Sequence, residues 1–242
     1  MSHTFEVIVA DPPWSFKDSL KMSDVARGAA ANYSVMSNKD IEHLPIKDFI
    51  SPDGTVLALW VPSSLLQVGL DTMKAWGFAH KQTYVWVKTK KDPFFDIRGA
   101  FVSILKDGSK AIGKTTPKGL KRYLASVNKV TNTFTKGINM LNNTLAFGMG
   151  RLFRQTHEIC LIGISSNKVY KQLENKSQRS VSFGENLKHS AKPEHLQDSL
   201  ELMFPKARKL ELFARRHRPG WVCLGNEICN GEDIRVSLSK IK

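Results

Sequence analysis

Six short apolar runs, rich in β-branched and aromatic residues and each broken off abruptly, constrain this chain more than any other feature of its sequence. They cover 5–10, 55–61, 83–87, 157–163, 209–214 and 220–224. The first stops at Asp11-Pro12-Pro13-Trp14; the second follows the turn signal Pro52-Asp53-Gly54 and stops at Pro62. Such runs read as buried strands. Among them, 63–76 has helical spacing, with Leu66, Leu70 and Met73 on one face and Gly77 placed as the C-cap, and 193–203 is an amphipathic helix. The alternation predicts an α/β fold, a mainly parallel, doubly wound sheet with helices on both faces. Ligands bind such sheets beyond the carboxyl ends of the strands. Here those ends carry Asp11, Arg215 and Asn226-Glu227.

Length and charge narrow the setting. The 242 residues suit one domain over 1–242, with a basic insertion at about 90–143. In that stretch Lys90, Lys91, Lys106, Lys110, Lys114, Lys118, Lys121, Arg122, Lys129 and Lys136 outnumber Asp92, Asp96 and Asp107. The net charge of +14 gives a field that attracts polyanions, so a nucleic acid is the expected partner and the insertion its expected contact surface. Lys118, Lys121 and Arg122 are the basic residues assigned to substrate binding. No apolar run is long enough for a bilayer span or a secretory signal. Cys160, Cys223 and Cys229 form no C-x-x-C pair, so neither a disulfide framework nor a metal site is expected. A soluble, cytoplasmic protein with no membrane partner is the consequence.

Asp11-Pro12-Pro13-Trp14 carries the clearest chemistry. An exocyclic aromatic amine is a poor nucleophile because its lone pair is delocalised into the ring. If Asp11 and the Pro12 carbonyl each accept one N–H, they hold the amine and aim the lone pair at an electrophilic methyl group. The prolines fix φ and stiffen the loop, while Trp14 offers a face or edge against which a base can pack.

These residues belong to an ordered set. Besides Asp11-Pro12-Pro13-Trp14 it includes Tyr33-Ser34-Val35-Met36-Ser37, Leu59-Trp60-Val61, Trp86-Val87-Lys88-Thr89, His157-Glu158, His189-Ser190-Ala191-Lys192-Pro193, Leu210-Glu211-Leu212-Phe213-Ala214-Arg215 and Gly225-Asn226-Glu227. In this set the chain resembles the MT-A70 family of adenine-N6 methyltransferases. The resemblance implies a Rossmann-like class I methyltransferase fold with permuted motif order and S-adenosyl-L-methionine as cofactor. It places Lys192 against the cofactor carboxylate, and Arg215, His217, Asn226 and Glu227 around its ribose and adenine. Asp11 falls near the methionine amine and the target nitrogen, and Tyr33 beside the acceptor pocket. Only ten residues precede Asp11, so adenine contacts that some members draw from further upstream fall to Glu185 or Asn186.

Adenine-N6 methylation of a nucleic acid is the expected activity, with DNA ahead of RNA because the chain looks like the short, stand-alone members of the family. RNA adenine-N6 or DNA cytosine-N4 methylation is the alternative among enzymes, since the same acceptors can hold either amine. A non-catalytic nucleic-acid-binding partner of an active methyltransferase is the alternative outside them. His157 and His189 are expected in structural roles, and Trp60, Trp76 and Trp86 in the core.

Overall fold

The computed structural model of the protein describes residues 3–16, 36–91, 118, 121, 122, 124, 125, 128, 144–146, 148, 152–186 and 191–242. Tyr33, His189 and most of the lysine-rich segment lie outside these residues. Strands β1 (Val7–Ala10), β2 (Val56–Val61), β3 (Ala79–Thr89), β4 (His157–Ile164), β5 (Val181–Glu185), β6 (Lys209–Leu212) and β7 (Trp221–Leu224) join in one sheet in the order β5-β3-β4-β2-β1-β6-β7. β1 runs parallel to β2 and β6, and β6 parallel to β7, whereas β2 and β4 are antiparallel. The helices include α1 (Asn38–Glu42), α2 (Leu66–Ala75), α3 (His195–Met203) and α4 (Ile234–Ile241), with short 3-10 turns at Ile46–Phe49, Ser63–Leu65 and Asn167–Lys171.

Strand periodicity divides the apolar residues between two faces. Ile8, Ala10, Leu57, Leu59, Val61, Leu161, Leu210 and Leu212 point one way, into a cluster with Ile41, Met73, Ile234 and Leu238 of α1, α2 and α4. Val7, Val9, Val56, Ala58, Trp60, Cys160 and Ile164 point the other way and meet Leu196 and Leu200 of α3. Helices therefore cover both faces, as the α/β pattern requires. Trp60, Trp76 and Trp86 are all core residues. The Trp76 indole donates to the Ile41 carbonyl at 3.0 Å, tying α2 to α1.

The buried face of α2 is the expected one in part: Met73 is buried and Leu70 packs against the core, whereas Leu66 is 42% exposed and Gly69 and Thr72 are buried as well. The helix lies so close to β2 that a Cβ at Gly69 would stand 2.6 Å from Val61 Cγ2. Close approach through a glycine adds Gly69 to the contact stripe and leaves Leu66, at the helix start, outside it. Three elements go beyond what the sequence pattern predicts: the short α1, β5 in a stretch with the composition of a loop, and α4, whose N-cap Asp233 accepts from the Arg235 N–H.

The chain forms two compact units. The first comprises Met1–Trp86, Glu158–Ser182 and Glu194–Lys242, and the second Val87–His157 and Phe183–Pro193. The basic insertion expected at about 90–143 falls within the second.

Candidate active site

In the first unit, strand register gathers the chemistry at one edge. Ala10 stands opposite Leu59 and Leu212, and Leu212 opposite Leu224, so the chain leaves β1, β6 and β7 side by side at Asp11, Phe213 and Gly225. This is the carboxyl edge of the parallel strands, where open α/β sheets bind ligands.

Asp11 is half-buried and follows β1 directly. The loop after it is pinned at every step. The Pro12 carbonyl accepts the Trp14 N–H at 2.9 Å, which leaves one lone pair on that oxygen. The Pro13 carbonyl accepts the Met36 N–H at 3.2 Å. The Trp14 indole N–H donates to the Trp60 carbonyl at 2.9 Å, and Trp14 is only 4% exposed. It packs in the core, so it braces the loop against the end of β2 rather than offering an open face to a base.

Asn38, which sequence reasoning missed, closes the loop. Its amide oxygen accepts the Ser15 N–H at 3.0 Å and its amide nitrogen donates to the Ser15 carbonyl at 3.1 Å, a reciprocal clamp on one residue's backbone. The sequence signal was faint. Asn38 follows the N-cap Ser37 of α1, where a polar residue needs no further explanation.

The ends of β6 and β7 are held together by backbone. Phe213 has φ of 60°, an uncommon conformation for a bulky residue that turns the chain sharply. The Ala214 N–H can then donate to the Leu224 carbonyl at 2.9 Å. Gly225 completes the junction, since a Cβ there would stand 2.3 Å from the Ala214 carbonyl oxygen. Arg215 and Glu227 reach towards each other across this junction, with Nε and Oε1 3.5 Å apart and side chains 30% and 37% exposed. His217 and Asn226 are exposed on the same two loops. The first unit thus brings Asp11, Arg215, His217, Asn226 and Glu227 onto one edge. This set offers two carboxylates, a guanidinium, an imidazole and an amide to a polar ligand.

Other assigned residues belong to the second unit. Lys192 is half-buried there; Glu185 ends β5, and the Asn186 N–H donates to the Thr89 carbonyl at 2.9 Å. Lys118, Lys121 and Arg122 are helical and exposed, at a spacing that sets them on one helix face. Tyr33 lies outside the described residues. Among the described residues, no three His, Cys, Asp or Glu side chains gather as a metal centre would need, and no helix is long and apolar enough to cross a membrane.

The sequence profile of the MT-A70 family matches residues 5–101 and 124–227. The chain belongs to the MT-A70 family. An N(6)-adenosine-methyltransferase MT-A70-like protein of Arabidopsis thaliana is 25% identical over 228 residues, covering 93% of this chain and 24% of that protein. The N(6)-adenosine-methyltransferase catalytic subunit METTL3 of Homo sapiens is 22% identical over 227 residues, covering 93% and 28%. The type II methyltransferase M.MunI of a Mycoplasma species is 22% identical over 241 residues, covering 93% and 78%. This chain therefore spans about a quarter of the length of the adenosine methyltransferases and most of the length of the type II enzyme.

Two further features of this MT-A70 chain bear on its site. The loop bearing Arg215 and His217 is anchored by Arg218, whose guanidinium donates to Asp198 at 2.6 Å, to Glu201 at 2.7 Å and to Glu194. Those carboxylates lie at the start and along one face of α3. Arg216 also pairs with Glu194, and the Trp221 indole donates to Glu201 at 2.6 Å. The hydrogen bond from Arg218 holds the Glu201 carboxyl below the ordinary carboxylate range, and the Glu201 bond in turn raises the Arg218 guanidinium further. Burial pushes the neighbouring Glu211 carboxyl up, against the hydrogen bond from Gln197. The second feature is the division of charge. The second unit holds 16 of the 36 Lys and Arg but only 4 of the 22 Asp and Glu, so it carries +12 of the net +14.

Proposed function

We propose that this chain is an S-adenosylmethionine-dependent methyltransferase that modifies the exocyclic N6 amine of adenine in a nucleic acid, with DNA as the preferred substrate. The observation that carries the reading is Asp11 at the end of β1, on a loop pinned by Trp14 and Asn38, one strand away from the Arg215–Glu227 pair.

The donor set suits the cofactor. Glu227 is a partly exposed acceptor for ribose hydroxyls, with Arg215, His217 and Asn226 as further polar contacts to ribose and adenine. Asp11 supplies a negative charge for the cofactor ammonium. When bound, S-adenosylmethionine supplies a methyl group on a sulfonium, with a neutral thioether as leaving group. Asp11 and the remaining lone pair of the Pro12 carbonyl would accept the two N–H groups of the target amine and hold it for transfer of that methyl group, after which the nitrogen loses one proton to solvent. Since the leaving group needs no proton, positioning and charge complementarity account for most of the rate, and a pinned loop fixes that geometry beforehand.

The preference for DNA rests on the type II relative, matched over 78% of its own length, whereas the adenosine methyltransferases are matched over about a quarter of theirs. The division of charge supports a polyanionic substrate in either case. The test is incubation with labelled S-adenosylmethionine and matched pools of duplex DNA, single-stranded DNA and RNA, followed by nucleoside mass spectrometry. N6-methyladenine, most abundant in a DNA pool, is the expected product. N4-methylcytosine, or N6-methyladenine confined to RNA, would replace adenine N6 in DNA as the acceptor. Tight, salt-sensitive nucleic-acid binding without cofactor binding would replace catalysis with a partner role.

A further inference from the structure

The second unit carries an apolar feature that its charge does not account for. Gly148 and Gln155 pair antiparallel, the Gly148 N–H donating to the Gln155 carbonyl at 2.8 Å, so the chain reverses direction between them. Just before the return stand Leu152 and Phe153, 94% and 88% exposed. Isolated apolar residues at a surface need no explanation, but two adjacent large ones held almost wholly in water at a chain reversal mark a contact. Their sequence neighbours are Arg151 and Arg154, and the unit around them carries +12.

We propose that Leu152 and Phe153 form a wedge that inserts between stacked bases of the nucleic-acid duplex that is to be methylated. The inference rests on the methyltransferase reading and adds to it the element that helps take the target base out of the stack. Charge selects the occupant. A second copy would bring +12 against +12, which opposes pairing of this surface with itself, whereas a polyanion is drawn to it. Within a nucleic acid, the net positive charge of the unit suits the phosphates, and the apolar pair suits the base faces, where an aromatic ring stacks without regard to sequence. Wedges of this chemistry unstack a base step in proteins that bend or open DNA. The need for one follows from Asp11: an exocyclic amine paired within a duplex cannot reach a half-buried carboxylate, so the base must leave the stack at a cost in unpairing and unstacking.

Phe153→Ala and the double variant Leu152→Ala/Phe153→Ala test this, since side chains so exposed can be removed without disturbing a core; Phe153→Trp is the conservative control. The probe is an adenine-rich DNA duplex with 2-aminopurine at scattered adenine positions, used for fluorescence, together with methyl transfer to matched duplexes whose adenines are paired or mismatched. Wild-type protein should raise the fluorescence on binding. The alanine variants should lose that rise and methylate paired duplex on the order of tenfold more slowly, the value of one stacked ring. They should recover on mismatched duplex and keep the salt dependence of binding, because the phosphate contacts remain. Phe153→Trp should retain wild-type behaviour. Equal rates for wild type and alanine variants on paired duplex would overturn the wedge. So would an alanine variant whose only change is loss of a dimer in sedimentation. Wild-type protein that neither binds nor methylates any nucleic acid would remove the underlying reading and the inference together.

Discussion

The role proposed for Asp11 depends on what surrounds it. A carboxylate at a strand end is common; one followed by two prolines, with the next residue's indole bonded to a neighbouring strand, cannot drift from its position. The Pro-Pro pair made this legible in the sequence, because its effect on the backbone is local. The other brace was not legible: the Asn38 amide reaches Ser15 from 23 positions away, and only tertiary folding creates that contact. The same limit explains Trp14, whose indole could serve a base or the core until the carbonyl of Trp60 fixed the answer. Asn38→Ala should therefore slow methyl transfer by about tenfold, with a stability loss of about 1–2 kcal/mol for two partly buried hydrogen bonds. Denaturant unfolding set beside single-turnover rates checks this; a variant with wild-type rate and lowered stability would make the clamp purely structural. Gly225→Ala should weaken cofactor binding, since its Cβ would enter the β6–β7 junction. Calorimetric titration with S-adenosylmethionine is the direct check, and unchanged affinity would show that the junction tolerates movement.

Elements differ in how far sequence reveals them, and burial explains the difference. β1 and β2 are buried along their whole length, so their apolar runs are unbroken and easy to read. β5 is an edge strand in which only alternate residues are even partly buried, and Ser182 and Gly184 fill those positions, leaving no apolar signal on the covered face. α2 was legible in extent and, through Leu70 and Met73, in most of its facing; Leu66 was misread because Gly69 makes the close contact with β2. The junction of α3 with the β6–β7 loop is held by Arg218 and its three carboxylates. Arg218→Ala leaves those carboxylates facing one another and frees the loop bearing Arg215 and His217. Stability should fall by about 1–3 kcal/mol, the range for charge-assisted hydrogen bonds. The pH dependence has a definite sign. Because the folded-state pKa of Glu201 lies below its unfolded value, its contribution is present above the ordinary carboxylate range and is lost as pH falls from that range through the lowered pKa of the folded state. The gap in Tm between wild type and Arg218→Ala should therefore be widest near neutral pH and narrow on acidification. A gap independent of pH would assign the effect of Arg218 instead to its guanidinium lying over the Trp221 ring, 6.0 Å from the ring centroid.

The whole molecule divides its labour by charge. The first unit, almost neutral, carries the strand-end chemistry suited to a cofactor, while the second holds nearly all of the net positive charge. Composition alone announced a polyanionic partner and placed much of the charge between β3 and β4, but the partition into units needed the fold. Neutralising Lys118, Lys121 and Arg122 together should weaken nucleic-acid binding and reduce the magnitude of its log–log salt slope by up to about 3, near 0.9 for each phosphate of duplex DNA that is no longer neutralised. Cofactor affinity should stay the same, and an unaltered salt slope would move the substrate surface away from this helix face. The central claim, that Asp11 holds an adenine amine for methylation, is tested most directly by single-turnover transfer from labelled S-adenosylmethionine to adenine-containing DNA, comparing wild type with Asp11→Asn. Wild type should form N6-methyladenine, and the variant should form it at least about a hundredfold more slowly while still binding DNA and keeping its fold. Formation of N6-methyladenine at the wild-type rate by Asp11→Asn would contradict the claim.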